Sequence, residues 1–274
     1  MYHLAPRATL ARREEAVERE AILFDVADNV ATITLNRPDQ LNSFNNVMAA
    51  DVTWAWETIR DTDDIHCAVV QANGERAFCT GVDIKGESHW FEKDNVWNSF
   101  DPGLTLAPKT HHRVWKPVVA AVHGMCAGGG QYFINESDII ICSDDAVFFD
   151  PHANVGIVSA LEPMGMLQRG VPLGDVLRWA LMGNEERITA ETALRIGLVT
   201  EVVSRDGLWD RAREIAVSIA QRNPKAIQGT VRAIWESLEM PRQTALHNGL
   251  SYTQIGNFPP APPKPRDKKD TQYR

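Results

Sequence analysis

The chain lacks any apolar run of about 18 residues, the least that a bilayer-spanning helix needs, so neither a membrane span nor a membrane partner is expected. The residues ahead of position 21 hold no apolar core of the kind a secretory signal carries; positions 12–20 are charged and read as an exposed helix with mixed-sign pairs. Cysteine is scarce. The four present, Cys67, Cys79, Cys126 and Cys142, show no CxxC spacing, which points to buried free thiols in a reducing cytoplasm and not to a disulfide framework. Positive charge is also short: 28 Lys and Arg against 36 Asp and Glu give a net charge of -8, which excludes a basic nucleic-acid footprint. The pair His111-His112 has no HExxH or comparable spacing and is not read as a metal site.

What is there is ordinary for a globular protein. The 274 residues, 44% hydrophobic and 23% charged, suffice for one large core or two modest domains. Strands are expected over 21–26 and 30–35, joined by a turn at Asp28-Asn29, and again over 67–70, 118–122, 139–142 and 146–149. The run 118–122 has no polar alternation and reads as a strand buried on both faces. Helices are expected over 45–60, 167–178, 190–196 with Thr189 as cap, 208–222 and 226–238. Strand, turn and helix recur in an α/β order. Residues 86–115 mix aromatics and turn formers over a length too great for a plain loop; a substrate-covering segment and a packed irregular surface both fit. The tail from Pro259, rich in proline and then in Lys and Arg, reads as extended and solvated.

Chemistry concentrates at Gly128-Gly129-Gly130, just after the apolar strand. Three glycines are poor helix formers, so either their missing side chains admit a substrate to the backbone or they only let a helix pack closely on its strand. The first N–H groups of a helix have no internal partner and favour an oxygen gaining negative charge. A second glycine turn, Thr80-Gly81-Val82, follows the strand at 67–70 and could supply another such N–H.

Leu35-Asn36-Arg37-Pro38, Ala77 through Lys85, Lys116 to Gly130, Asp138-Ile139-Ile140 and Thr189 through Val199 stand in the order seen in the crotonase, or enoyl-CoA hydratase/isomerase, superfamily, which the sequence resembles from about residue 22 to about 205. The resemblance implies an α/β fold built as a crotonase-like spiral of ββα units with a C-terminal helical region: a helical extension over 1–20, the spiral core over 21–205, oligomerising helices over 206–258 and the tail over 259–274. It implies an acyl-CoA thioester as substrate, coenzyme A entering as part of that substrate with no permanently bound cofactor and no metal. A homotrimer or dimer of trimers is implied as well. Carried over position by position, the oxyanion donors are the backbone N–H groups of Val82, where the family usually has Ala, and Gly129. Arg37, Gly81, Lys85 and Gly128 fall at coenzyme A positions, and family members can bring cations of the C-terminal tail to a neighbour's coenzyme A.

Hydratases of this family commonly use two glutamates; here those positions hold Tyr132 and His152. Tyrosine is a weak base, with an ordinary pKa of about 10, and serves as a donor or as pocket filling. His152 titrates near neutrality and is the strongest acid/base candidate. Its partner is Glu162 or, if the preceding strand persists far enough, Asp150; Glu162 could equally be a helix-start residue before Pro163. Three functions remain open: an enoyl-CoA hydratase/isomerase-type lyase or isomerase with non-standard acid/base residues, a retro-Claisen carbon–carbon hydrolase using His152 and Glu162, and a non-catalytic acyl-CoA-binding subunit. Straight-chain crotonyl-CoA is expected to be a poor substrate.

Overall fold

The computed structural model describes residues 17–85 and 102–256. Most of the expected N-terminal extension, the aromatic stretch 86–101 and the proline-rich tail lie outside the described residues. Residues 17–224 fall in one compact unit and 225–256 in another. Among the described residues no helix is long and apolar enough to cross a membrane.

The first unit is organised by a seven-stranded sheet. Its strands are β1 (Val17–Glu18), β2 (Ile22–Ala27), β3 (Val30–Leu35), β4 (Cys67–Ala72), β6 (Val118–Val122), β8 (Ile139–Ser143) and β11 (Glu201–Val203), adjacent in that order. The pairings up to β3 are antiparallel and the rest parallel. A second sheet runs β10 (Ile188–Thr189), β9 (Val147–Phe149), β7 (Met125–Ala127) and β5 (Ala77–Cys79). The chain visits the sheets in alternation: β4 then β5, β6 then β7, β8 then β9. The last two turns each close with a helix, α2 (Gln131–Asn135) and α3 (Leu161–Gln168), which makes the spiral of ββα units.

Period-two side-chain alternation divides the core. Ala68, Val70, Val118, Ala120 and Val122 face the larger cluster with α1 (Asn46–Asp61), whose Met48, Val52, Trp56 and Ile59 are fully buried. Cys67, Val69, Val119 and Ala121 face the opposite cluster. There α6 (Leu208–Ala220) lays Leu208, Ala212, Ala216 and Ala220 along the sheet, one residue every four. These strands read as unbroken apolar runs because both faces are covered. All four cysteines are free and buried.

Two expectations need correction. Residues 17 and 18, expected in a helix, pair with Phe24 and Leu23 as an edge strand, since the open edge of β2 offers backbone partners that an isolated charged segment lacks. The helix expected over 167–178 is two: α3 stops at Gln168 and α4 (Leu173–Met182) starts afresh. Pro172 between them has no N–H to donate, and it drives the residue before it toward extended backbone. Beyond α5 (Ala190–Arg195) and α6, the second unit holds α7 (Pro224–Ser237) and α8 (Arg242–Gly256), where Glu236 accepts hydrogen bonds from Arg232 and from the Tyr252 hydroxyl.

One buried side chain ties the loops that frame the site. Asn42 is fully buried in left-handed backbone; its Oδ1 accepts the Arg37 N–H at 2.8 Å, and its Nδ2 donates to the carbonyls of Asn73 and Ala77 at 2.9 Å each. Leaving such groups unpaired costs about 1–3 kcal/mol apiece, so Asn42 locks the chain after β3 onto the turn between β4 and β5.

Candidate active site

The pairing of β5 with β7 sets Cys79 beside Cys126, so the turns that follow the two strands lie together. Gly81 has φ +86°, a left-handed value that suits glycine, and a Cβ there would stand 3.1 Å from the Gly129 nitrogen and 3.2 Å from the Ala127 oxygen. Phe44 bridges to Val82 in parallel: its N–H donates to the Gly81 carbonyl and its carbonyl accepts from the Asp83 N–H, both at 2.8 Å. In that pattern the N–H of Val82 itself points away from Phe44. The glycine triplet, expected at a turn that opens a helix, forms a 3₁₀ turn (Gly128–Gly130) that leads into α2. Gly129 lies in its first turn, where N–H groups lack an intrahelical partner.

Aromatic rings close in on Gly129: a Cβ there would meet Phe44 at 2.8 Å and Tyr132 at 3.1 Å. Phe44 was not legible as a site residue, because nothing in its neighbourhood distinguishes it from a core aromatic. Over the Tyr132 ring lies the 3₁₀ segment Pro102–Leu106, held to α1 where the Trp56 indole donates to the Leu106 carbonyl at 2.9 Å.

Arg37, expected at the coenzyme A, directs its guanidinium to Asp83 Oδ2 at 2.8 Å and to the Ser43 carbonyl. Asp83 Oδ1 in turn accepts the Lys85 N–H at 3.1 Å, while the Lys85 side chain is exposed. The Val82 segment is therefore clamped on both sides, by Phe44 and by Arg37. Cys79 and Cys126, beneath the turns, offer no nucleophile at neutral pH, since burial pushes the Cys79 thiol up to about 12 and the Cys126 thiol well up too.

The acid/base candidates come together. His152 opens a 3₁₀ turn (His152–Val155) after β9, and Glu162 lies in the first turn of α3, buried. His152 Nε2 is 3.9 Å from Glu162 Oε1, and the Tyr132 side chain hydrogen-bonds the same carboxyl group. Gly128 abuts the imidazole: a Cβ there would stand 3.6 Å from His152 Cε1. Burial pushes the Glu162 carboxyl up; backbone hydrogen bonding, the His152 charge and Tyr132 oppose that only in part. Asn135 on α2 donates to the Glu162 carbonyl at 2.9 Å and so fixes α3 against α2.

Asp150 also reaches His152, but not along a continued strand. β9 ends at Phe149, and Asp150 Oδ1 accepts the His152 backbone N–H at 3.2 Å and is hydrogen-bonded to its ring Nδ1, which folds the imidazole back over the turn. Elsewhere His112 is buried, with its Nε2 donating to the Thr105 carbonyl at 2.6 Å. His111 stacks edge-on against it.

The enoyl-CoA hydratase/isomerase family model matches residues 25–254. Among curated proteins, (E)-benzylidenesuccinyl-CoA hydratase of Thauera aromatica is 35% identical over 234 residues, covering 85% of this chain and 88% of that one. Short-chain-enoyl-CoA hydratase of Clostridium acetobutylicum is 30% identical, covering 84% and 87%. A carnitinyl-CoA dehydratase of Citrobacter koseri is also 30% identical, covering 86% and 87%. The crystal structure of an enoyl-CoA hydratase/isomerase from Mycobacterium paratuberculosis matches with a TM-score of 0.78 at 34% identity, over 87% of this chain and 90% of that one. The spiral of ββα units, the extent of the family match and these relatives agree: the chain belongs to the enoyl-CoA hydratase/isomerase family of the crotonase superfamily.

Proposed function

We propose that the protein adds water across the double bond of an enoyl-CoA thioester, or removes it in reverse. The observation that carries this reading is the pairing of His152 with Glu162 at 3.9 Å beside two adjoining glycine turns. In this scheme the thioester oxygen accepts the N–H groups of Val82 and Gly129. As water adds to the β-carbon, its proton goes to His152 Nε2 and the displaced electron pair collects on that oxygen. Glu162, disposed by burial to hold a proton, gives it to the α-carbon, and the carbonyl re-forms. The proton on His152 then returns to Glu162 across the short gap, which restores the site. Tyr132 holds the Glu162 carboxyl in place by its hydrogen bond. Coenzyme A enters and leaves with the acyl group.

The names of the relatives, two hydratases and a dehydratase, favour this reaction over double-bond isomerisation. The rings of Phe44 and Tyr132 beside Gly129 favour a branched or aromatic acyl group, in keeping with the name of the T. aromatica relative. A second reading, hydrolysis of a carbon–carbon bond in a β-oxo thioester, uses the same side chains and is favoured by the imidazole and its carboxylate contact, an arrangement suited to directing water at a carbonyl.

Product analysis separates the two. Incubation with cinnamoyl-CoA and crotonyl-CoA, followed by enoyl-thioester absorbance and by free thiol, should show the double bond lost faster from cinnamoyl-CoA with no thiol released from either. A β-oxo thioester cleaved while both enoyl esters stay intact would replace hydration with the second reading.

Val82→Pro tests the oxyanion site more cleanly than Gly129→Pro, because a Cβ at 129 meets the Phe44 ring, whereas the bonds that bridge Phe44 use Gly81 and Asp83 and not the Val82 N–H. Loss of one such donor should lower kcat about 10²- to 10³-fold in a folded variant. Unchanged turnover would place the thioester oxygen elsewhere.

Glu162→Gln separates activity from stability. The Glu162 carboxyl is raised above its ordinary value, so the folded chain binds that proton more tightly than the unfolded one. The stability this brings is present below the unfolded pKa and lost as pH rises through the folded value. Compared by urea unfolding, the variant should gain on the wild type as pH rises above about 4, while turnover falls about 10²- to 10⁴-fold. A stability difference that does not change with pH would contradict burial as the cause.

A further inference from the structure

Asp150 has no place in the scheme above, yet its setting is unusual. It is fully buried, and its Oδ2 has no hydrogen-bond partner among the described residues. Oδ1 accepts two hydrogen bonds, both from His152: the backbone N–H at 3.2 Å and the ring Nδ1–H. A buried carboxylate is normally compensated by a cation or by several donors. Here the compensation comes from one imidazole that is itself only partly exposed, 22% at the side chain.

The geometry also fixes which ring nitrogen does what. A carboxylate oxygen accepts hydrogen bonds, so its contact with Nδ1 calls for the ring proton on that nitrogen. With Nδ1 engaged there and Cε1 against the Gly128 turn, Nε2 is the nitrogen that faces Glu162. A neutral imidazole has one N–H, so Nε2 is left with a lone pair toward the reacting side.

We infer that Asp150 is a positioning residue that holds His152 in the Nδ1–H tautomer and strengthens Nε2 as a base, making the acid/base centre a chain of three, Asp150, His152 and Glu162. This rests on the reading of His152 as the group that takes the proton from water. Among the described residues, the charged and titratable groups facing the imidazole include Asp150 from the turn after β9 and Glu162 from α3, with Tyr132 of α2 acting through Glu162. The Asp150 carboxylate favours the imidazolium, so removing its charge makes His152 a weaker base.

A purely structural role for Asp150 would be served by its bond to the His152 backbone N–H, which the amide oxygen of asparagine reproduces. Both bonds to His152 end on Oδ1, so Asp150→Asn can keep them and isolates the loss of the carboxylate charge. The first measurement needs no variant except for assignment: long-range ¹H–¹⁵N correlation spectra of the ¹⁵N-labelled wild type at about pH 8, with His152 identified by its loss in His152→Ala. Nδ1 should be the protonated nitrogen and Nε2 the bare one; a ring protonated at Nε2 overturns the inference. In Asp150→Asn the Nδ1–H preference should weaken with the lost charge, and kcat should fall about 10²- to 10⁴-fold with KM within about threefold. The acidic limb of its kcat profile should move to lower pH. A folded variant that keeps the wild-type tautomer, kcat and pH limb overturns the inference. If no hydration is found with any enoyl ester, the reading of function fails by itself, and the tautomer in wild type and variant still decides the role of Asp150. If Asp150→Asn does not fold, the wild-type spectrum decides.

Discussion

Everything at the site depends on one short pairing, β5 with β7. Three-residue strands contribute little by themselves, but setting Cys79 beside Cys126 forces the two following turns into contact. That contact tolerates no side chain at its closest points. A Cβ on Gly130 would stand 2.5 Å from the Cys79 carbonyl oxygen, and one on Gly81 would crowd the Gly129 nitrogen. The wider fold holds this junction still. Asn42 pins the loop after β3 to the turn before β5, Phe44 pairs with the Val82 segment, and Arg37 grips Asp83 one residue further on. In the proposed function, backbone donors held so firmly would need no reorganisation when charge develops, which is where such sites draw their strength.

Beside this rigid frame the chain departs from a pair of glutamates, and the departure has its own logic. Two groups of one kind share a proton poorly unless their surroundings differ. Here the difference is built into the chemistry: burial inclines Glu162 to hold its proton, while an imidazole backed by a buried carboxylate inclines to accept one. In the proposed scheme, the 3.9 Å between them is the gap across which the proton would return after each turnover. A buried, raised carboxyl is a standing cost to the fold, of the kind that active sites carry and cores avoid.

How much of this the sequence disclosed follows from the physics of each part. Most of the long sheet was legible, because β4, β6 and β8 are covered on both faces and so read as apolar runs. Of the second sheet only β9 was, within the strand expected over 146–149. Met125–Ala127 sits between two glycines and is too short to show a period, so it reads as a turn. The break between α3 and α4 was written in Pro172 but masked by the continuing apolar pattern from Leu167 through Val176. At the site, Tyr132, His152 and Glu162 could be named from their positions relative to the glycine triplet and the strand ending at Phe149, and the structure brings them together. Asp150 was tied to a strand that ends too soon; a turn delivers its contact, by a hydrogen bond that no periodicity announces. Phe44 gave no signal, since its importance lies in what is opposite it.

The most direct test of the central claim is a crystal structure with a slowly reacting enoyl-CoA ester bound. The account predicts the thioester oxygen about 2.7–3.1 Å from both the Val82 and the Gly129 nitrogens, with the α- and β-carbons facing Glu162 and His152. A thioester oxygen out of hydrogen-bond reach of those two nitrogens, or an acyl chain turned away from His152 and Glu162, would contradict it.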